Sequence, residues 1–547
     1  MQDHCTSTLA RKRKTRIALA LGLAISVCAG TSLASPPITP ASASVDLERI
    51  LVQGNSSGDA RLVASARALG IFKPTVTRST AATLPVSNCN DSGSGSLRAA
   101  VGFASSGDTV DMSGLNCVVQ LNSSIVTSVD DLTLKGNPTQ KYEVSGQNTI
   151  RPLTHTGVGT LTLDGFGVKL GKVTSSTGSA LGGCIYSAGS VSLTNQSEAK
   201  YCTAEQTDGL LNSNDKALGG AIFAKDSVSI SNSIVTNGKA MGHGHPALGG
   251  GIYAGSSIGL SGAKISSNSA EVSNGLVAKG GGLYTSGNML AKYSSIDGNE
   301  ASNGTTASMA WGGGAFVNGK GNTIKYSTFS GNTAGSAAAL ALAGNNGTGD
   351  DAIFNTTIAN NAAKASLSKY GGALALGNTC TINSSTISGN TEANSSDNKY
   401  GAGINIAKNV SVSMSSTVVS GNNLLLSSNS TLPSDIKGNA DTPASIAGNY
   451  NLTGWATDAS VPAGTLSSYS PGLNSLADNG GYTKTMAVLP GSPLIDAGFD
   501  NGYDKDQRGT GFKRVYGSAA DIGAYELGGD TIFANDFELP PVALHRH

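Results

Sequence analysis

Leu248-Gly249-Gly250-Gly251-Ile252-Tyr253 decides how this chain folds, because the block returns at a near-constant interval. It stands earlier as Leu181-Gly182-Gly183-Cys184-Ile185-Tyr186 and Leu218-Gly219-Gly220-Ala221-Ile222-Phe223. It follows as Lys279-Gly280-Gly281-Gly282-Leu283-Tyr284 and Trp311-Gly312-Gly313-Gly314-Ala315-Phe316, then weakens to Gly371-Gly372-Ala373-Leu374 and Gly401-Ala402-Gly403-Ile404. A second register accompanies the blocks, an apolar residue three positions before an asparagine. The pairs are Ile234 and Asn237, Ile265 and Asn268, Ile296 and Asn299, Phe329 and Asn332, Ile358 and Asn361, Ile387 and Asn390, Val419 and Asn422. Successive asparagines fall 31, 31, 33, 29, 29 and 32 residues apart. Between the registers lies an alternating stretch, such as Ser227-Val228-Ser229-Ile230-Ser231 or Ser411-Val412-Ser413-Met414, with the period of two of a half-buried strand.

Each unit of about 30 residues therefore carries three short strands separated by turns, with no helical pattern long enough to form a crossover. Three strands without a crossover helix exclude a βαβ sheet, and units this short cannot each bury a core of their own. Stacking them as coils of a right-handed parallel β-helix resolves both difficulties, each strand pairing with its equivalent one coil along, about 4.8 Å away. The fold class is all-β. Asn237, Asn268, Asn299, Asn332, Asn361, Asn390 and Asn422 are expected to form a structural ladder at one turn, each amide bonding to those above and below. Ile185, Ile222, Ile252, Leu283, Leu374 and Ile404 are the expected interior stack. The glycines before them suit a sharp bend or a close approach of coils.

The composition agrees with a solenoid. Of 547 residues 73 are glycine, 39% are apolar, 5% aromatic and 13% charged, against about 25% charged in an average chain. Low charge excludes a disordered acidic or basic tail protein, and scarce aromatics leave the core to small and β-branched side chains. As compact domains the length would divide into about three or four, a division that one solenoid does not need. Residues 1–34 read as a secretory signal peptide, with basic Arg11, Lys12, Arg13, Lys14 and Arg16, an apolar run over 17–30, and a small-x-small site at Ser32-Leu33-Ala34. The run is shorter than the about 20 residues of a membrane-spanning helix, and no comparable stretch follows. Residues 35–87 form a leader bearing Ser, Thr and Pro, with a helix expected over 59–69. Basic and acidic residues number 36 each, and removal of the signal leaves 31 against 35, so nothing points to a nucleic-acid partner. In an exported chain Cys89 with Cys117 and Cys184 with Cys202 are candidate disulfides, leaving Cys380 as a buried thiol.

An open β-helix exposes strand edges at its ends. Leu97, Val101 and Ala104 lie on one face of a short helix beginning near Ser96, the expected N-terminal cap. Asp91-Ser92-Gly93-Ser94-Gly95-Ser96-Leu97-Arg98-Ala99-Ala100, followed by Gly107-Asp108-Thr109-Val110, resembles the opening of bacterial right-handed β-helix surface proteins. The Gly-Gly-Ala-Ile and Asn blocks are similar to polymorphic outer-membrane-protein repeats. Gly491-Ser492-Pro493-Leu494-Ile495-Asp496-Ala497-Gly498, Asp506-Gln507-Arg508-Gly509 and Asp521-Ile522-Gly523-Ala524-Tyr525-Glu526 resemble the choice-of-anchor Q segment, which accompanies cell-surface sorting tails. The resemblance spans 88–526 and implies a pectin-lyase-like β-helix, secreted or held at a bacterial surface, adhesive and seldom assigned a reaction. Polymorphic outer-membrane proteins end in a membrane barrel. Here Asp530-Thr531-Ile532-Phe533-Ala534-Asn535-Asp536-Phe537-Glu538 is similar instead to a short tail of some proteobacterial exported proteins. The expected division is thus signal 1–34, leader 35–87, β-helix with cap 88–455, choice-of-anchor-like segment 456–526 and tail 527–547.

Related β-helices host polysaccharide enzymes, so the fold alone does not exclude catalysis. A glycosidase needs two converging carboxylates. Gly349-Asp350-Asp351 and Gly242-His243-Gly244 resemble fragments of polygalacturonase motifs, but in reversed order and without the other motifs, and Asp350-Asp351 reads as a solvated turn. A lyase needs an Arg or Lys base beside calcium-binding acids, and the repeats offer chiefly isolated Asp226, Asp297 and Glu300. His243 and His245 would place two rings on one side of a strand, and without a third ligand they read as loop residues. Asp500, Asp504 and Asp506 are spaced somewhat like a calcium loop, but a local turn network or pairing of Asp506 with Arg508 fits better. No catalytic set, cofactor or metal is assigned.

Tyr186, Phe223, Tyr253, Tyr284 and Phe316 each follow the interior aliphatic by one position. Facing outward they make a stripe able to stack on sugar rings; packed under loops, or with inside and outside exchanged, they are structural. The intervals 238–248, 300–311 and 391–400 are expected as variable loops from one corner, where recognition belongs. The leading expectation is an adhesin-like, non-enzymatic scaffold binding glycans or surfaces. The alternative is a polysaccharide lyase or hydrolase acting on an acidic polysaccharide along the coils.

Overall fold

The computed structural model describes residues 80–528 apart from 208–213, 274–275, 305–308, 347–348, 365–370, 395–400, 427 and 429. These all belong to one compact unit, Thr77–His547. The expected signal peptide, the leader up to residue 79 with its helix, and the tail beyond Gly528 lie outside the described residues.

One coil shows the plan. From Ile252–Ala254 the chain turns into Ile258–Ser261, then Lys264–Ser266, bends at Asn268 into Ser269–Ser273, and returns through Ala278–Lys279 and three glycines to Leu283–Thr285, one coil on. Stacked coils give four sheets. Sheet I, through Ile258–Ser261, has 14 strands; sheet II, holding the strands on both sides of Asn268, has 21; sheet III, through Ile252–Ala254, has 12; sheet IV, through Ala278–Lys279, has 5. Like residues face like: Ile222 pairs Ile252, Ile252 pairs Leu283, and Ile265 pairs Ile296, all parallel. The chain is a parallel β-helix. Alternate residues of sheets I, II and III enter one continuous core, where Ile185, Ile222, Ile252, Leu283, Leu374 and Ile404 are joined by Ala315 and Leu340 in the same column. Each large aliphatic buried this way contributes about 1.5–3 kcal/mol.

The glycine block makes the bend between sheets IV and III. Gly249 is left-handed at φ 69°, and a Cβ on Gly250 would lie 2.2 Å from the Gly281 carbonyl oxygen of the next coil. Neither position tolerates a side chain. A second left-handed residue turns each coil from sheet I to sheet II, as at Gly262, Tyr293, Tyr326, Asn355, Ser384 and Ser416.

Most of the described residues in the intervals expected as variable loops belong to strands. The second half of sheet II and the strands of sheet IV face each other as a flange, enclosing Ala217, Ala240, Ala247, Ala270, Ala278, Ala301 and Ala310. Thus Ile234–His243 and Ala247–Leu248 span most of 238–248, Glu300–Asn303 and Ala310–Trp311 frame 305–308, and Thr391–Asn394 precedes 395–400. The correction has a simple cause, since alternating alanine builds a core too thin to show as a hydrophobic run.

At the N-terminal end helix α1 (Leu97–Phe103) turns Leu97 and Val101 onto the first coils, with the Ser96 hydroxyl accepting from the Ala99 amide at 3.2 Å. Arg98 pairs with Asp91 at 2.6 Å and donates to the carbonyls of Ser123 and Ser124, pinning the helix over the core. Cys89 is bonded to Cys117 and Cys184 to Cys202, and Cys380 is a free buried thiol.

Coil strands run from Thr83–Pro85 to Leu466–Ser467, beyond the expected limits of 88 and 455 at both ends. The remaining segment folds back over the outside of sheet II. Gln507 Nε2 donates to Thr328 Oγ1 at 2.8 Å and its Oε1 accepts from Thr357 at 2.6 Å, while the Ala524 amide donates to Thr386 Oγ1 at 3.0 Å. The three closing motifs meet in one buried network. Arg508, fully buried between the rings of Phe512 and Tyr525 at 4.0 and 3.9 Å, pairs with Asp506 and donates to the Glu526 carbonyl at 2.7 Å. Asp506 accepts the Glu526 amide, and Asp521 accepts the Asp496 amide at 2.9 Å. Burial pushes the Glu526 carboxyl up to about 7. Among the described residues no helix is long and apolar enough to cross a membrane.

Candidate functional site

The asparagines hold the coils together. Each amide from Asn268 onward donates to the next side-chain oxygen at 2.8–3.0 Å, through Asn299, Asn332, Asn361 and Asn390 to Asn422. The same oxygen accepts the preceding asparagine's backbone amide, and each Nδ2 also reaches a carbonyl of the preceding coil, as Asn361 does to Phe329. Asn237 is not a rung. It is exposed, left-handed at φ 54°, and bonded to its neighbour Thr236. Val235, not Ile234, pairs Ile265, so Gly238 takes the rung position and its amide donates to Asn268 Oδ1 at 2.8 Å. Cys202 pairs Gly238, so the Cys184–Cys202 bond occupies the rung below. Asp435 ends the column, its Oδ1 accepting the Asn422 amide side chain at 2.8 Å and its Oδ2 the Trp455 amide at 2.9 Å. Burial raises its carboxyl to about 6. Spacing hid Asp435, which follows Asn422 by only 13 positions because it stands just before Ile436, in the place Gly403 holds one coil earlier, and reaches across its coil to the ladder.

Tyr186, Phe223, Tyr253, Tyr284 and Phe316 lie outside the main core, on the outer face of sheet III. Their rings stack in one column at 5.5, 5.2, 5.3 and 5.7 Å, within 6–7° of parallel. Sheet IV walls the column with Leu181, Leu218, Leu248, Lys279 and Trp311, the residues alternate to the flange alanines. Leu248 and Trp311 pack on the rings, and Phe316 is 3% exposed. The stripe faces outward, but neighbouring rings occupy one another's faces, so sugars cannot stack along it as a row of open faces. Ring edges and hydroxyls are what it offers, chiefly at half-exposed Tyr186 and Tyr253.

A cation closes each end of this column. Arg151 lies 5.4 Å from the Tyr186 centroid and donates to the carbonyls of Gly182 and Leu181 at 2.8 and 2.6 Å. Lys279 Nζ lies 4.4 Å from the Phe316 centroid and 4.9 Å from that of Trp311. Burial lowers the pKa of both, and among the described residues neither has a carboxylate partner.

The ionisable groups of sheet II are arranged differently. Lys200 bridges Glu143 and Glu198 at 2.8 and 2.7 Å, Lys169 bonds Glu143, and Lys141 bonds Glu198. Burial alone would raise the two carboxyls, but hydrogen bonds from the lysines hold both below the ordinary range. Burial likewise disfavours the Lys200 ammonium, yet its carboxylate partners raise its pKa. Lys172 and His243 share Glu205, whose pKa the Lys172 hydrogen bond lowers. A general base needs the opposite shift.

His243 and His245 part company. The left-handed Gly244 breaks the strand alternation, leaving His243 on Glu205 and His245 buried against the Asp215 carbonyl. Asp350 is exposed, but Asp351 is buried and not a solvated turn residue, accepting Asn322 and Asn378 amides at 2.8 and 2.7 Å. Asp506 pairs with Arg508, and Asp500 accepts the Gly502 amide. Among the described residues no three His, Cys, Asp or Glu side chains gather as a metal site.

No family model and no curated protein matches the chain, so the likeness of its repeats and closing segment to named families rests on the quoted motifs. The structure is similar to the crystal structure of pectate lyase Pel9A, at 15% identity and a TM-score of 0.37, over 82% of this chain and 97% of that one.

Proposed function

We propose that this protein is an exported, surface-associated β-helix scaffold that binds glycans without cleaving them. The groove between sheets III and IV carries the proposal: five stacked rings walled by five side chains, continuous over five coils, with a cation at each end. A rigid solenoid presenting one such groove suits extended chains. The alternative, a polysaccharide lyase or hydrolase on an acidic chain, is opposed by the ion pairs of sheet II. They hold Lys200 protonated and Glu143 and Glu198 ionised, shifts opposite to those a general acid and base need. The signal-like residues 1–34 and the resemblance of the closing motifs to a choice-of-anchor segment support export.

The test is incubation of the full chain with neutral and acidic polysaccharides, with and without calcium, following reducing ends, unsaturated products and bound fraction. Binding without product is expected. Reproducible cleavage overturns the reading.

A further inference from the structure

We infer that the groove between sheets III and IV is selective for anionic glycans, a carboxylated polysaccharide chain lying along the ring column between Arg151 and Lys279. The inference rests on the groove being the binding face. Three observations select the charge of the ligand. Stacking uses up the electron-rich faces of Phe223, Tyr253 and Tyr284, and the edges that remain carry the positive side of the ring quadrupole. The rings at the two ends each carry a cation, Tyr186 the Arg151 guanidinium and Phe316 the Lys279 ammonium. Both cations are partly desolvated without a carboxylate partner among the described residues, whereas Lys141, Lys169, Lys172 and Lys200 on sheet II are all paired. A cation taken from water without a counter-ion is a standing demand for one.

The spacing narrows the class. Arg151 and Lys279 stand at the ends of four coil steps, about 20 Å of column at about 4.8 Å per step. Two cations over that length suit a polymer with charges several ångströms apart and hydroxyls between them. They underfill a nucleic-acid duplex, with about one charge per 1.7 Å. Lys279 is the decisive side chain, because Arg151 also ties two backbone carbonyls and its loss disturbs the coil.

The experiment measures binding of the full chain to polygalacturonate, a neutral glucan of similar length and a single-stranded oligonucleotide, in low and high salt, for wild type, K279M and K279R. Met keeps the contact with Trp311 and Phe316, and an unchanged thermal midpoint confirms folding. Expected are salt-sensitive binding of polygalacturonate, at least tenfold weaker in K279M and restored in K279R, with little binding of the other two. Equal affinity for the neutral glucan overturns the charge selectivity and leaves a glycan groove standing. Tighter binding of the oligonucleotide, or K279M equal to wild type, also overturns it. No binding of any glycan removes both this inference and the function on which it rests.

Discussion

Glu392 stands where alanine stands on the flange coils before it. Ala240, Ala270 and Ala301 share its column, Ala363 pairs it directly, and Leu424 follows. The side chain is fully buried, with neither carboxylate oxygen in a full hydrogen bond among the described residues, and burial pushes its pKa up to about 8. A carboxyl raised in the folded state favours folding while protonated, so its contribution is complete below about 4.5 and lost as pH rises through 8. E392A is therefore expected to unfold like wild type at pH 5 and to be more stable at pH 9, by roughly 2–4 kcal/mol, in thermal melts across that range. Equal melts at pH 9 contradict this. A second contrast lies in the polar column. N361A removes a rung and leaves the Asn332 backbone amide and one of its two side-chain N–H groups without an acceptor, at a cost of about 3 kcal/mol in denaturant titrations. N237A, on an exposed side chain, changes stability by less than about 0.5 kcal/mol. Six of the seven asparagines were legible because a ladder repeats the same side chain at the same interval. Asn237 was not, because a one-residue shift of Val235 moves Gly238 onto the rung.

At the level of elements, the outward residues of sheet II change character along its length. Glu143, Lys169, Glu198 and Lys200 stand on the early coils, and Thr328, Thr357, Ala359, Thr386 and Val418 on the later ones, fully buried under the closing segment. Three short motifs were visible in the sequence, but only the fold shows that they converge on Arg508. R508M leaves the Asp506 carboxylate buried without its partner, at about 3–5 kcal/mol. Limited proteolysis of R508M is expected to release the segment after Ser467 while the coils stay protected. Release no faster than in wild type contradicts that assignment. The flange, in contrast, was not legible. Its core is a column of alanines whose burial depends on the facing strands of sheet IV, which are two residues long.

Over the whole molecule, the few charged residues are sorted by face. Among the described residues the early coils of sheet II neutralise their ions in pairs, the closing segment buries its own with Arg508 and Arg514, and the groove keeps two cations without a carboxylate partner. The parallel β-helix was legible because its period is written in glycine and asparagine; the groove was not, because only the fold sets the side chains of sheet IV as a wall beside the rings. The most direct measurement is electrophoresis of the native full chain through gels cast with polygalacturonate or with a neutral glucan, each stained afterwards for intact polymer. Retardation in the acidic gel alone, with no cleared zone, is the result expected of a non-catalytic anionic-glycan scaffold. A cleared zone, or mobility unchanged by the acidic polymer, contradicts it.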